Sequence, residues 1–173
     1  MSETPLHFKT ITEVASKIKS KELSPVEVTE AILDRIQRQD PHYKSYATVM
    51  ADQARASARA AEGAISSGDY LGPLHGVPIA VKDLCFTKGV ATMGGTKALI
   101  NHVPDFDCTV VEKLNAAGAV ILGKLNLTEG AMAGYNPEFQ VPVNPWGADL
   151  WSGASSSGSG VATSAGLCYG SLG

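Results

Sequence analysis

Two stretches of the chain carry residue types that could do chemistry. The first is Lys82-Asp83, directly after the apolar run Val77-Pro78-Ile79-Ala80-Val81. A lysine at the carboxyl end of a buried strand sits where open α/β sheets place their ligand crevices. Alternation along an extended backbone sends Lys82 and Asp83 to opposite faces, so Asp83 need not pair with Lys82. The second stretch is Gly153-Ala154-Ser155-Ser156-Ser157-Gly158-Ser159-Gly160. Dense hydroxyls and small residues at a helix entrance suit a place where backbone N–H groups approach a substrate. Each stretch alone has a plainer reading: a solvated lysine, and a flexible linker. Trp151 just before the run, and a helical pattern just after it, favour an ordered loop.

Other patterns carry less. Gly118 to Lys124 reads G-x-x-x-x-G-K, but Leu125 stands where a phosphate loop needs Ser or Thr, and the intervening Ala-Val-Ile-Leu belongs in a buried strand. His7, His42, His75 and His102 show no metal-ligand spacing. His75 is near Lys82 in sequence, which leaves a Ser/His arrangement open. The carboxylates show no pairing that signals glycoside or metal chemistry. Cys85, Cys108 and Cys168 form no C-x-x-C pair, and buried free thiols are the expectation for all three.

The elements that must position these groups follow from periodicity. Ser24-Pro25-Val26-Glu27 is a helix start, with Ser24 as cap, Pro25 at the first position and Glu27 completing a capping box. Val28, Ala31, Ile32 and Ile36 continue it at helical spacing. Ala51, Ala54, Ala58, Ala61 and Ile65 form a second stripe, stopped near Gly68. From Gly72 the pattern changes. Val77–Val81 reads as a buried strand, with Pro78 near its start. Asp107 is placed to cap a helix carrying Val110, Val111, Leu114 and Ala117, and Gly118 ends it. Ala119–Leu122 reads as another buried strand. Strand, helix, strand at this spacing argues for an α/β architecture. Residues 134–151, rich in Asn, Pro and Gly, read as loop, and Val161–Leu167 as a helix of small residues.

The 173 residues suffice for one domain with a real core. A net charge of −3 offers no basic stripe, so direct nucleic-acid binding has no electrostatic support. The segment MSETPLHFKT lacks the pattern of a secretory signal, and no stretch has the length of a membrane span. With the unpaired cysteines this predicts a reducing, cytoplasmic setting. A homo-oligomer stays open.

Taken together, the two stretches are specific. Gly72-Pro73-Leu74-His75-Gly76-Val77-Pro78-Ile79-Ala80-Val81-Lys82-Asp83 resembles the lysine-bearing motif of the amidase signature family. Gly123-Lys124-Leu125-Asn126-Leu127-Thr128-Glu129 is similar to its G-K-x-N-x-x-E segment. Asn144-Pro145-Trp146, followed by Gly153 to Ser159, resembles its N-P-W…G-G-S-S-G-G-S core. Met93-Gly94-Gly95-Thr96 and the helix start at Ser24 also fit. The resemblance runs from about residue 10 to residue 173, in order.

It implies an α/β fold in which N-terminal helices, about 1–70, precede part of a mixed β-sheet flanked by helices, about 71–173. Both belong to the N-terminal portion of a single amidase domain. It implies that Lys82 matches the catalytic lysine. Ser155, which the family holds after a cis peptide bond, matches the bridging serine, and Ser156 is the register alternative. Ala154 and Ser157 stand where the family usually has Gly. The implied nucleophile, in a D-x-G-G-S motif, would fall about six residues past Gly173. The implied activity is hydrolysis of a small-molecule amide through a Ser-Ser-Lys relay, with no metal or organic cofactor. One alternative is the glutaminase-type subunit of a tRNA-dependent amidotransferase, from which residues 137–143 depart. Another is a catalytically inactive fragment, with sheet edges left unpaired and little stability of its own.

Overall fold

The computed structural model describes residues 4–132 and 134–173, so the first three residues of the terminal segment lie outside the described residues. Helix α1 spans Ile11–Lys19 and opens on a full capping box between Thr10 and Glu13. Helix α2 spans Pro25–Tyr43, and Ser24 Oγ accepts from the backbone N–H groups of Val26 and Glu27. Glu27 does not complete a capping box, and the Ser24 hydroxyl donates to Glu62, which lies on helix α3, Ala51–Ser67. The Ser24 hydroxyl thus caps α2 and ties it to α3 at once, while no return bond from the Glu27 side chain reaches the Ser24 N–H.

The buried stripe of α2 is Val28, Ile32, Leu33 and Ile36, while Ala31 is exposed. On α3 it is Ala54, Ala58, Ala61 and Ile65. Methyl side chains at these positions let α2 and α3 pack closely, and α3 lies on the sheet. Left-handed Gly68 ends α3.

The sheet has four strands in the order β1-β3-β2-β4, where β1 is Tyr46–Val49, β2 is Pro78–Lys82, β3 is Val120–Leu125 and β4 is Ser171–Leu172. β2 and β3 run parallel, joined through helix α4, Thr109–Ala116. All eleven positions of β2 and β3 are buried, which explains their unbroken apolar runs. β1 joins antiparallel and β4 parallel, so the sheet is mixed. Helix α5, Ser157–Ser164, touches β2, β3 and β4.

Three expectations change. The helical lead-in contains a strand, β1, so the sheet draws on both parts of the chain. Helix α4 is capped at Cys108 rather than Asp107. The Asp107 carboxylate accepts instead from the Lys88 N–H at 2.7 Å and the Asn115 Nδ2 at 3.1 Å, pinning α4 to the loop behind β2. Helix α5 begins within the serine run, at Ser157, and not at Val161. Residues 134–151 contain no helix or strand, as their composition predicts.

Candidate active site

β2 ends on Lys82, and its ammonium nitrogen lies 2.6 Å from Ser155 Oγ and 2.7 Å from Ser156 Oγ. Both serines are half-buried, whereas Lys82 is 7% exposed. The lysine is shielded and the hydroxyls can be reached. The peptide bond between Ala154 and Ser155 is cis, the geometry the resemblance associates with the bridging serine. Ser157 Oγ is buried without a hydrogen-bond partner, so it takes no part in the cluster.

The serine loop is held from below by the chain that follows β3. Thr128 N–H donates to the Ser155 carbonyl at 3.1 Å, and Gly158 N–H donates to the Asn126 carbonyl at 2.9 Å. Only glycine fits at position 158: a Cβ there would stand 2.5 Å from the carbonyl oxygens of Asn126 and Ser45. Asn126 in turn donates through Nδ2 to the carbonyls of Lys44 and Tyr46. The first turn of α5 is thereby pressed against the carboxyl end of the sheet, which brings the two serines over Lys82.

Burial disfavours the charged form of Lys82. Burial lowers the Lys82 pKa below the ordinary value of 10.5, and the neighbouring Cys85 opposes this more weakly. Among the described residues no carboxylate forms an ion pair with Lys82. Asp83, the adjacent carboxylate, points to the other face and lies 3.1 Å from Lys124 Nζ. Asp83 also accepts from Met93 N–H, and Lys124 donates to Thr92 Oγ1 at 2.7 Å. Lys124 and Asp83 are both fully buried. Asp83, the carboxylate next to Lys82 in sequence, is thereby paired with Lys124. This pairing is the feature that sequence reasoning missed. The signal was there in the strand alternation at 82–83 and in a second lysine at a buried strand position.

Among the described residues the side-chain hydrogen bonds of Ser155 and Ser156 go to Lys82 and none joins them to His75. His75 is buried, and its Nδ1 accepts from Leu71 N–H at 3.1 Å. Its ring fills the space beside Gly118, where any Cβ would overlap it. No group of three or more metal-ligating side chains occurs among the described residues. None of the described helices is long and apolar enough to cross a membrane. Of the thiols, Cys168 is buried while Cys85 and Cys108 are only partly so, which corrects the expectation of burial for all three.

A buried lysine lies beneath two serine hydroxyls at the end of a strand in a mixed α/β sheet. The Amidase family model matches residues 27–173, and the chain belongs to that family. It is 56% identical over 163 residues to AmiD of Mycobacterium tuberculosis, named as an amidase, covering 94% of this chain and 34% of that protein. It is 45% identical over 170 residues to a glutamyl-tRNA(Gln) amidotransferase subunit of Methylococcus capsulatus, covering 97% of this chain and 35% of that protein. The native peptide amidase from Stenotrophomonas maltophilia superposes with a TM-score of 0.88 at 32% identity, covering 95% of this chain and 35% of that one. The chain thus spans about a third of the length of the relatives it matches.

Proposed function

We propose that these residues are the base-and-relay part of a serine amidase that hydrolyses a small carboxamide. The observation that carries the reading is the pair of short contacts from the Lys82 nitrogen to Ser155 Oγ and Ser156 Oγ. In this reading a nucleophilic serine, supplied by sequence following Gly173, attacks the amide carbonyl. Ser155 takes the proton from that serine as it gives its own to neutral Lys82. The resulting ammonium returns the proton through Ser155 to the leaving amine, which departs as ammonia or an amine. Water then releases the acid from the acyl-serine by the same route in reverse. These 173 residues alone then hold two members of the relay and no nucleophile, and have no activity.

The match of Ser155 to the family's bridging serine favours it as relay, with Ser156 orienting the lysine. A comparison of Ser155→Ala with Ser156→Ala in the full-length protein decides the register. Amide hydrolysis should fall further in Ser155→Ala. A larger loss in Ser156→Ala would reverse the assignment.

A second reading keeps the chemistry and changes the use of the ammonia, as in the glutaminase-type subunit of a tRNA-dependent amidotransferase. The 45% identity to a glutamyl-tRNA(Gln) amidotransferase subunit favours it. The test is co-purification with a tRNA-binding partner and glutamine-dependent amidation of aminoacyl-tRNA.

A further inference from the structure

The buried Asp83–Lys124 pair bonds to neither serine, yet both sides of the contact between Lys82 and Ser155 lead back to it. On the lysine side, Asp83 follows Lys82 directly, and its N–H donates to the Leu125 carbonyl at 2.9 Å, fastening the end of β2 to the end of β3. On the serine side, the pair holds the turn 92–95, all four residues of which are buried. The Asp83 carboxylate accepts from Met93 N–H at 3.0 Å, and the Asp83 carbonyl accepts from Gly94 N–H at 3.0 Å. Lys124 donates to Thr92 Oγ1 at 2.7 Å. The turn then lies flush against the chain that follows β3. Gly130 N–H donates to the Gly94 carbonyl at 2.8 Å, and a Cβ on Gly95 would stand 2.9 Å from the Leu127 carbonyl oxygen. That same chain holds the serine loop, through the bond from Thr128 N–H to the Ser155 carbonyl at 3.1 Å.

We propose that Asp83 and Lys124 are positioning residues for the amide hydrolysis: their ion pair, acting through the turn 92–95, sets the seat of Ser155 over Lys82. The proposal rests on the relay reading given above. A buried ion pair adds little net stability, but its charge-assisted hydrogen bonds are roughly twice as strong as neutral ones. Thr92 and Met93 are therefore gripped in fixed directions, and the turn cannot slide without breaking one of those bonds. Removing the charges loosens the turn, and the segment 127–130 that rests on it carries Ser155 along. The relay contacts of 2.6 and 2.7 Å leave no slack for such a shift. A misplacement of about 1 Å at reacting groups costs on the order of 10²-fold in rate.

The test compares the full-length double variant Asp83→Asn/Lys124→Met with wild type in urea unfolding, carboxamide hydrolysis and backbone amide hydrogen exchange. The substituted amide keeps an acceptor for Met93 N–H, while the bond to Thr92 is gone. The urea midpoint should stay near that of wild type, whereas kcat should fall about 10²-fold with KM within about twofold. The amides of Thr128 and Gly130, followed by mass in peptides covering residues 125–132, should exchange about tenfold faster. A merely structural role would return kcat to the wild-type level along with stability, and that result would overturn the proposal. So would a rise in KM at unchanged kcat, or a fall in kcat without faster exchange. Should the double variant fail to fold, Thr92→Val, which removes only the acceptor of Lys124, should lower kcat and quicken the same amides by smaller factors; wild-type values of both would overturn the proposal equally. If the wild-type protein hydrolyses no carboxamide, the relay reading itself fails, and exchange alone decides: unchanged protection of Thr128 and Gly130 then refutes the positioning role.

Discussion

Breaking the Asp83–Lys124 pair from one side should cost far more than removing it from both. The two groups lie 3.1 Å apart with side chains 1% and 0% exposed. At an effective dielectric constant of ~20 their attraction is about 5 kcal/mol. Desolvation opposes it: burial is the leading influence on both groups, raising the Asp83 pKa and lowering that of Lys124. The intact pair is thus close to break-even, and a lone survivor is a buried, uncompensated charge. Lys124→Met leaves Asp83 with backbone donors only, and Asp83→Asn leaves Lys124 with Thr92. Each should cost about 3 kcal/mol, limited because the survivor can change protonation state. With an m-value of ~2 kcal/mol/M, the urea midpoint should fall by about 1.5 M. The double variant Asp83→Asn/Lys124→Met keeps an acceptor for Met93 N–H and should return to within about 1 kcal/mol of wild type. The assay is equilibrium urea unfolding followed by circular dichroism. Single variants that each cost under about 1 kcal/mol would refute the reasoning, as would a double variant whose loss equals the sum.

Other outcomes follow from the same geometry. Gly158→Ala drives a methyl group to 2.5 Å from two backbone carbonyls. It should cost about 1–3 kcal/mol, and it should also depress amide hydrolysis by lifting the serine loop from Lys82, read by thermal unfolding and steady-state kinetics. The kcat/KM of the full-length enzyme should rise with pH as Lys82 loses its proton, with its midpoint below the ordinary lysine value of 10.5. The same shift has a stability sign. The unfolded chain binds the proton that folded Lys82 releases, so Lys82 makes stability rise with pH through the interval up to 10.5, and Lys82→Met should flatten that slope. The 173 residues alone should show no turnover on a panel of carboxamides, and serine-dependent hydrolysis by them would move the nucleophile to Ser155 or Ser156.

The parts of this fold that could be read from sequence are those with one dominant physical cause. β2 and β3 are buried on both faces, so their residues are apolar without interruption, and strand-helix-strand spacing then points to the parallel pair. The cap at Ser24 and the alanine stripe of α3 are local patterns with local reasons. β1 is different. Tyr46–Val49 is four residues wedged between two helices, half-buried and without clear alternation, and its pairing with β3 is a tertiary choice. Asp107 looks like a helix cap because the competing donors, Lys88 N–H and Asn115 Nδ2, reach it only in the folded chain. At the site, the lysine and the serines could be named from their motifs. Their meeting could not, because 73 residues separate Lys82 from Ser155 and the contact depends on Gly158 fitting against Asn126 and Ser45. The role of Asp83 was half legible: alternation pointed it away from Lys82, but nothing local named Lys124 as the partner.

The central claim is that neutral Lys82 is the base of the relay, and the most direct measurement is carboxamide hydrolysis by full-length Lys82→Ala against wild type. The account predicts a fall in kcat on the order of 10⁴-fold with the fold intact, as when one member of a serine triad is removed. Hydrolysis at the wild-type rate by Lys82→Ala would contradict it.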